Sequence, residues 1–322
     1  MSSQILQLIL GLLSLPAVAL VIILPGELAI RRFPQKTQSS IRPWIWLSPV
    51  LALVGLVIAY PLVASIVYSF RDATGSNWVG FRNFVWAFGT AMRPVLFNNV
   101  LWIVVFPLLT AVLALTAAIM LDRVKYERVA RTFLILPTAM SFVAGAVIWK
   151  MMYTYEPPMQ PQTGTLNAIW TAVTGKMPIA WLIDRNGNNY ALIFVAVWMS
   201  IGVATLILSA GVKNIPRELV EAAKIDGAGE WAVFRFVTLP SLWPTILVVL
   251  TTQAIFSLKV FDIVYVMTNG SFGTDVIANK MYSELFVKQN LGTASAIAVL
   301  LLILASPVIF MNIKQIRSEG GE

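Results

Sequence analysis

KNIPRELVEAAKIDGAGEWAVFRFVTLP, residues 213–240, is the longest polar interruption in the second half of a very apolar chain, and its polarity is ordered. Pro216 follows a hydrophobic run and suits the first position of a helix, where a missing N–H costs nothing. From there Leu219, Ala222 and Ala223 fall on one helical face, with Arg217, Glu218, Glu221 and Lys224 on the others. Asp226-Gly227 signals a turn, because glycine tolerates positive φ. A second short amphipathic segment carries Trp231, Phe234 and Val237, and Leu239-Pro240 closes it. The pattern predicts a helix–turn–helix elbow outside the hydrocarbon, between two membrane spans.

The surrounding composition agrees. Of 322 residues, 58% are hydrophobic and 12% charged, and the mean hydropathy is +0.79. Soluble domains average about 25% charged residues, so the chain is predicted to be an all-α polytopic membrane protein. A span needs about 20 apolar residues. Seven stretches qualify: 5–28, 45–70, 98–121, 132–152, 190–212, 245–267 and 293–313. The first is expected to be a retained helix rather than a secretory signal, since residues 1–24 hold no Lys or Arg and the basic residues follow it. With the elbow (213–244) placed in the cytoplasm, the inside segments 31–42, 123–131, 213–244 and the tail hold 14 of the 23 Lys and Arg. The outside segments 71–97, 150–190 and 268–292 hold eight, and Lys259 lies within a span. Positive charge favours the inside, so the expected layout is N-out, C-in.

The outer loops have distinct characters. Segment 71–97 carries Trp78, Phe81, Phe84, Trp86 and Phe88, which suits an interfacial aromatic belt. Segment 153–190 is punctuated by Pro157, Pro158, Pro161, Gly164, Gly175 and Pro178, and its length predicts short surface helices. No internal repeat is visible.

Several chemistries are excluded by residue type. The chain has no Cys and no His, which removes thiol nucleophiles, Cys/His metal sites and imidazole acid–base catalysis. No G-x-x-x-x-G-K-[ST] pattern occurs, so ATP is not hydrolysed here by that route. The net charge of +8 fits orientation-setting loops, and nucleic acid is not an expected partner. Function is then sought in intramembrane polar groups. Span 245–267 is richest in them, and Gln253, Phe256, Ser257 and Val260 share one helical face. An amide, a hydroxyl and a ring suit a sugar; the same groups also suit hydrogen bonding between packed helices. Lys259 and Asp262, three apart, could pair, either as a neutralised structural pair or as an ion or proton relay. In span 190–212, Gly202, Thr205, Ser209 and Gly211 suit close packing, and Ser200 falls near mid-membrane.

The opening stretch also resembles the E-A-A loop of binding-protein-dependent ABC importer permeases: E-A-A, three residues, Gly, nine residues, an aliphatic residue, one residue, Leu-Pro. Glu221-Ala222-Ala223, Gly227, Val237 and Leu239-Pro240 stand at those spacings, with Val in place of the usual Ile. WVGFRNF (78–84), RTFLILP (131–137), VFDIVYVMTNG (260–270) and LGTASAIAV (291–299) resemble the carbohydrate branch that includes the larger maltose permease subunit. GTDVIANKMYSELF (273–286) is most similar to α-glucoside-type permeases, those for glucosylglycerol included. The resemblance implies an importer subunit in a bacterial cytoplasmic (inner) membrane. Residues 45–322 would form a six-helix permease core, with residues 1–44 an additional N-terminal helix and cytoplasmic linker.

The implied partners are a second permease subunit, two ATPase subunits carrying ATP and Mg, and an extracytoplasmic sugar-binding protein, with membrane lipid around the spans. This chain itself would hold no cofactor or metal and would not be an enzyme. Glu221, Ala222, Ala223, Asp226, Gly227 and Pro240 would couple to the ATPase. Trp198, Met199, Ser200, Val203, Gln253, Phe256 and Ser257 would contact the sugar. The competing classes are an ion- or proton-coupled secondary transporter and a structural or signalling membrane subunit.

Overall fold

The computed structural model describes residues 20–319 apart from 22 and 123. Among them every regular element is helical, with one isolated β-bridge, Arg71 to Trp78. Most of the expected first span, 5–28, lies outside the described residues. The chain divides between Val67 and Tyr68 into two compact units.

The first unit is dominated by α1 (Gln35–Tyr68), which is long enough to cross a bilayer; none of its apolar stretch is buried. It widens into a π turn at Gly55–Ala59, just before Pro61. Proline lacks an N–H, and its ring crowds the carbonyl four residues back; a wide turn relieves both.

The second unit contains α2 (Arg82–Ala87), α3 (Arg93–Asp122), α4 (Glu127–Ile135), α5 (Phe142–Met152), α6 (Thr165–Thr174), α7 (Asn188–Lys213), α8 (Arg217–Ile225), α9 (Glu230–Leu258), α10 (Asp262–Met267), α11 (Ile277–Tyr282) and α12 (Leu291–Glu319). Helix α7 is its centre, with 61% of its apolar stretch buried. Trp102 and Phe106 of α3 meet Leu192, Ile193 and Met199 of α7 in one core. Ala114 and Ala118 of α3, Ala204 and Leu208 of α7, and Leu242, Ile246 and Val249 of α9 form a second. Small side chains let helix backbones approach where lipid offers no hydrophobic drive for association.

Among the described residues five helices are long and apolar enough to cross a membrane, or six if one bent pair counts as a span. That pair corrects the expected continuous span 132–152. Helix α4 continues as a 3₁₀ turn to Ala139, and the chain then bends by 100° into α5. Met140 and Ser141 are both extended, and the Ser141 hydroxyl accepts the Ala144 N–H at 3.1 Å, capping the new helix. Span 245–267 is corrected at both ends. Leu239-Pro240 does not close the elbow, because α9 runs unbroken from Glu230 through a π turn (Phe234–Thr238) that accommodates Pro240. At the other end α9 stops at Leu258, so Val260 lies beyond the helix. The break also removes the i,i+3 geometry expected of Lys259 and Asp262, and no ion pair joins them.

The bent span is held against α7 by a close approach at Gly202. A Cβ there would overlap the Leu134 carbonyl oxygen and crowd the Ile135 backbone. Gly202→Ala is therefore expected to cost about 1–3 kcal/mol, seen as a lowered unfolding temperature of the purified protein. Gly55→Ala, with nothing within 4 Å, serves as the control and leaves that temperature unchanged or slightly raised.

Candidate functional site

The elbow is built as its residue types dictate. Pro216 is the N-cap of α8 rather than the expected first helical residue, and α8 runs from Arg217 to Ile225 with no buried residue. Asp226 is the C-cap, and Gly227 takes φ +85°. The Gly227 N–H donates to the Lys224 carbonyl (3.1 Å) and the Ala228 N–H to the Ala223 carbonyl (2.9 Å). This paired closure of a helix end requires a left-handed residue. Across the turn Lys224 and Glu230 form an exposed ion pair at 3.1 Å, a contact of small energetic weight.

An open groove of about 1060 Å³ lies beside the elbow, with Ile119, Met120, Arg217, Glu221, Trp231 and Phe234 in its wall. The two faces of α8 are thereby separated. Arg217, Val220, Glu221 and Lys224 line the groove, whereas Leu219, Ala222 and Ile225 are exposed and outside it. Ala223 is half-buried, and Pro240 sits about three turns into the long arm, exposed. At the base, Lys213 at the end of α7 binds Glu127 of α4 at 2.7 Å, and Arg131 binds the same carboxylate.

The expected sugar contacts are only partly brought together. Trp198, Met199 and Phe256 border one core. Trp198 meets Trp149 edge-on at 5.5 Å, and Met199 packs over Gly145. Phe256, half-buried, lies between Phe142 at 4.7 Å and Phe106 at 5.5 Å. Ser200, Gln253 and Ser257 are buried, and the Ser257 hydroxyl donates to the Ala254 carbonyl at 2.8 Å. Val203 does not join them; it is exposed on another face of α7.

One polar cluster escaped the sequence pattern. Asn98 donates to the carbonyls of Gly273 (2.7 Å) and Asp275 (2.8 Å), and Asn188 donates to that of Phe272 (3.0 Å). Asn99 accepts the Ile277 N–H at 2.7 Å, and Asn189 donates to Asn98 at 3.3 Å. These amides pin the segment between α10 and α11. Burial pushes the Asp275 carboxyl above its usual range, against the lowering effects of the Asn279 hydrogen bond and Lys280. The paired asparagines at 98–99 and 188–189, each near a helix start, were the available signal.

Residues 110–315 match the family described as binding-protein-dependent transport system inner membrane component. The chain is 43% identical over 276 residues to the osmoprotective compounds uptake permease protein GgtC of Synechocystis sp., covering 85% of this chain and 99% of that one. It is 41% identical over 298 residues to the alpha-glucoside transport system permease protein AglF of Rhizobium meliloti, covering 92% and 88%. In fold it is similar to a chain of a bacterial ABC transporter involved in import of the acidic polysaccharide alginate. That match has a TM-score of 0.74 at 22% identity, over 88% of this chain and 99% of that one.

The turn geometry makes a prediction about Gly227. Nothing lies within 4 Å of a Cβ built there, so conformation alone limits substitution. Gly227→Val is expected to weaken the closure by at least about 1–2 kcal/mol, read as faster amide exchange at Gly227 and Ala228. Gly227→Asn, which visits the left-handed region more readily, retains most of the protection.

Proposed function

The chain belongs to the family of binding-protein-dependent transport system inner membrane components, and from that premise we propose that it is one permease subunit of an ATP-driven importer of a sugar or glucoside. The relatives named as permeases for alpha-glucosides and for osmoprotective compounds support the substrate class. The observation that carries the proposal is the elbow. The E-A-A spacing coincides with an exposed helix closed by a left-handed glycine, with Leu219, Ile225 and Trp231 uncovered.

In this account residues 45–322 form the permease core and residues 1–44 an added helix and linker, in a seven-span, N-out and C-in layout. A second permease subunit completes the pathway. An extracytoplasmic binding protein delivers the sugar, and two ATPase subunits, holding ATP and Mg, bind the elbow in loop 213–244. Leu219, Ala222 and Ile225 offer the ATPase a small apolar face. Glu221, on the groove side, and Asp226, at the turn, supply carboxylates for its polar groups. Ala223 and Gly227 shape the turn.

Helix α9 gives the motion a route. Its 29 residues span about 44 Å and join the elbow arm at Glu230 to Gln253 and Phe256. Closure of the ATPase pair displaces the near end of this rod, past Pro240, and so repositions the far end. Around that far end Trp198 and Phe256 offer ring faces, and Met199 offers an apolar wall. Ser200, Gln253 and Ser257 supply hydroxyl and amide groups for a saccharide. An ion- or proton-coupled transporter would need Lys259 and Asp262 to act together, and the break after α9 works against that.

The proposal is tested by uptake of a labelled glucoside in cells carrying the whole transporter. Glu221→Ala and Gly227→Pro are expected to lower uptake at least about tenfold, each removing interactions of the coupling contact worth about 1.4 kcal/mol or more, while membrane insertion persists. Undiminished uptake with both variants would count against it.

A further inference from the structure

Helix α4 carries a surface used by neither the elbow nor the proposed sugar path. Tyr126, Val129, Phe133 and Leu136 are all more than half exposed, and at i, i+3, i+7 and i+10 they form one stripe. Lys125 and Arg128 stand beside its start, both exposed. Arg131 and Lys213 are committed to Glu127, whereas Lys125 and Arg128 form no ion pair among the described residues. The Glu127–Lys213 contact sets this end of α4 level with the end of α7. The approach of Leu134 and Ile135 to Gly202 sets the other end far back along α7. The two cations therefore lie at the elbow end of α7, and the apolar stripe runs away from them along that helix.

We propose that this face binds an anionic phospholipid, with Lys125 and Arg128 on the headgroup phosphate and Val129, Phe133 and Leu136 against an acyl chain. Charge complementarity favours this occupant, because paired cations at the edge of an apolar stripe match a phosphate joined to a hydrocarbon tail. Glu127 lies between these cations in sequence and holds Lys213, so an occupied site braces the end of α7 from which the elbow departs. The inference rests on α4 reaching the membrane boundary and is independent of the sugar carried.

The test uses the complete transporter reconstituted in vesicles of equal parts phosphatidylglycerol and phosphatidylcholine, extracted in mild detergent, with retained lipids counted by native mass spectrometry. Symmetric vesicles make the outcome independent of orientation. The intact protein is expected to retain phosphatidylglycerol in preference by on the order of tenfold, and added salt reduces this. Lys125→Gln with Arg128→Gln removes most of the preference, Phe133→Ser lowers retention of both lipids, and inorganic phosphate does not displace the lipid. Equal retention of the two lipids by the intact protein, or a preference that survives the double substitution, overturns the proposal. So does displacement by inorganic phosphate, or a photo-crosslinker at position 133 that captures the second permease subunit in place of lipid.

Discussion

A backbone amide inside a bilayer has no water to bond, so a span can be interrupted only where something else takes up its hydrogen bonds. Three breaks among the described residues meet that condition in different ways. At the bend after α4, the Ser141 hydroxyl receives the N–H of Ala144. Past α10, asparagines reaching in from α3 and α7 take the carbonyls of Phe272, Gly273 and Asp275 and the N–H of Ile277. At the elbow, Gly227 turns the chain so that its own N–H and that of Ala228 close the helix end. The interruptions are thus assembled features, and the elbow, like the bend after α4, is satisfied locally. It needs nothing from the rest of the fold, and its outward side chains remain free for another molecule.

The same constraint explains the two arms of the elbow. Helix α8 is short and has no buried residue, whereas α9 passes without a break from the polar region into the apolar core. Pro240 and Pro244 would ordinarily end such a helix; the π turn ahead of Pro240 keeps it continuous. A rigid rod anchored beside α3 and α7, with an exposed hook on one end, is mechanically suited to relay motion. The Glu127 carboxylate, shared by Arg131 and Lys213, ties the hook's other root to the bent span.

How much of this was legible in the sequence depends on how local the determinants are. The elbow was legible because periodicity, Asp226-Gly227 and the E-A-A spacing all act within a few residues. Helix existence was legible from apolar length, but two sets of boundaries were not. Leu239-Pro240 looks like a stop, and only the turn widening before it shows otherwise. The apolar run through 245–267 hides the end of α9, which falls at Leu258, where no Gly or Pro marks a stop. The candidate sugar residues fared unevenly for a related reason. Positions 198, 199, 200 and 203 are close in sequence, yet which face of α7 the neighbouring helices cover is decided elsewhere, and Val203 is left exposed. The asparagine cluster joins residues more than 80 positions apart, beyond the reach of any local pattern.

The central proposal is that motion enters this subunit through Ala222 and its neighbours. The chain contains no cysteine, so a single thiol at Ala222→Cys reports on that position alone. In the assembled transporter it should cross-link to the ATPase subunit and resist a membrane-impermeant thiol reagent added outside intact cells. Labelling from outside, or an assembled complex that yields no adduct with the ATPase, would contradict the account.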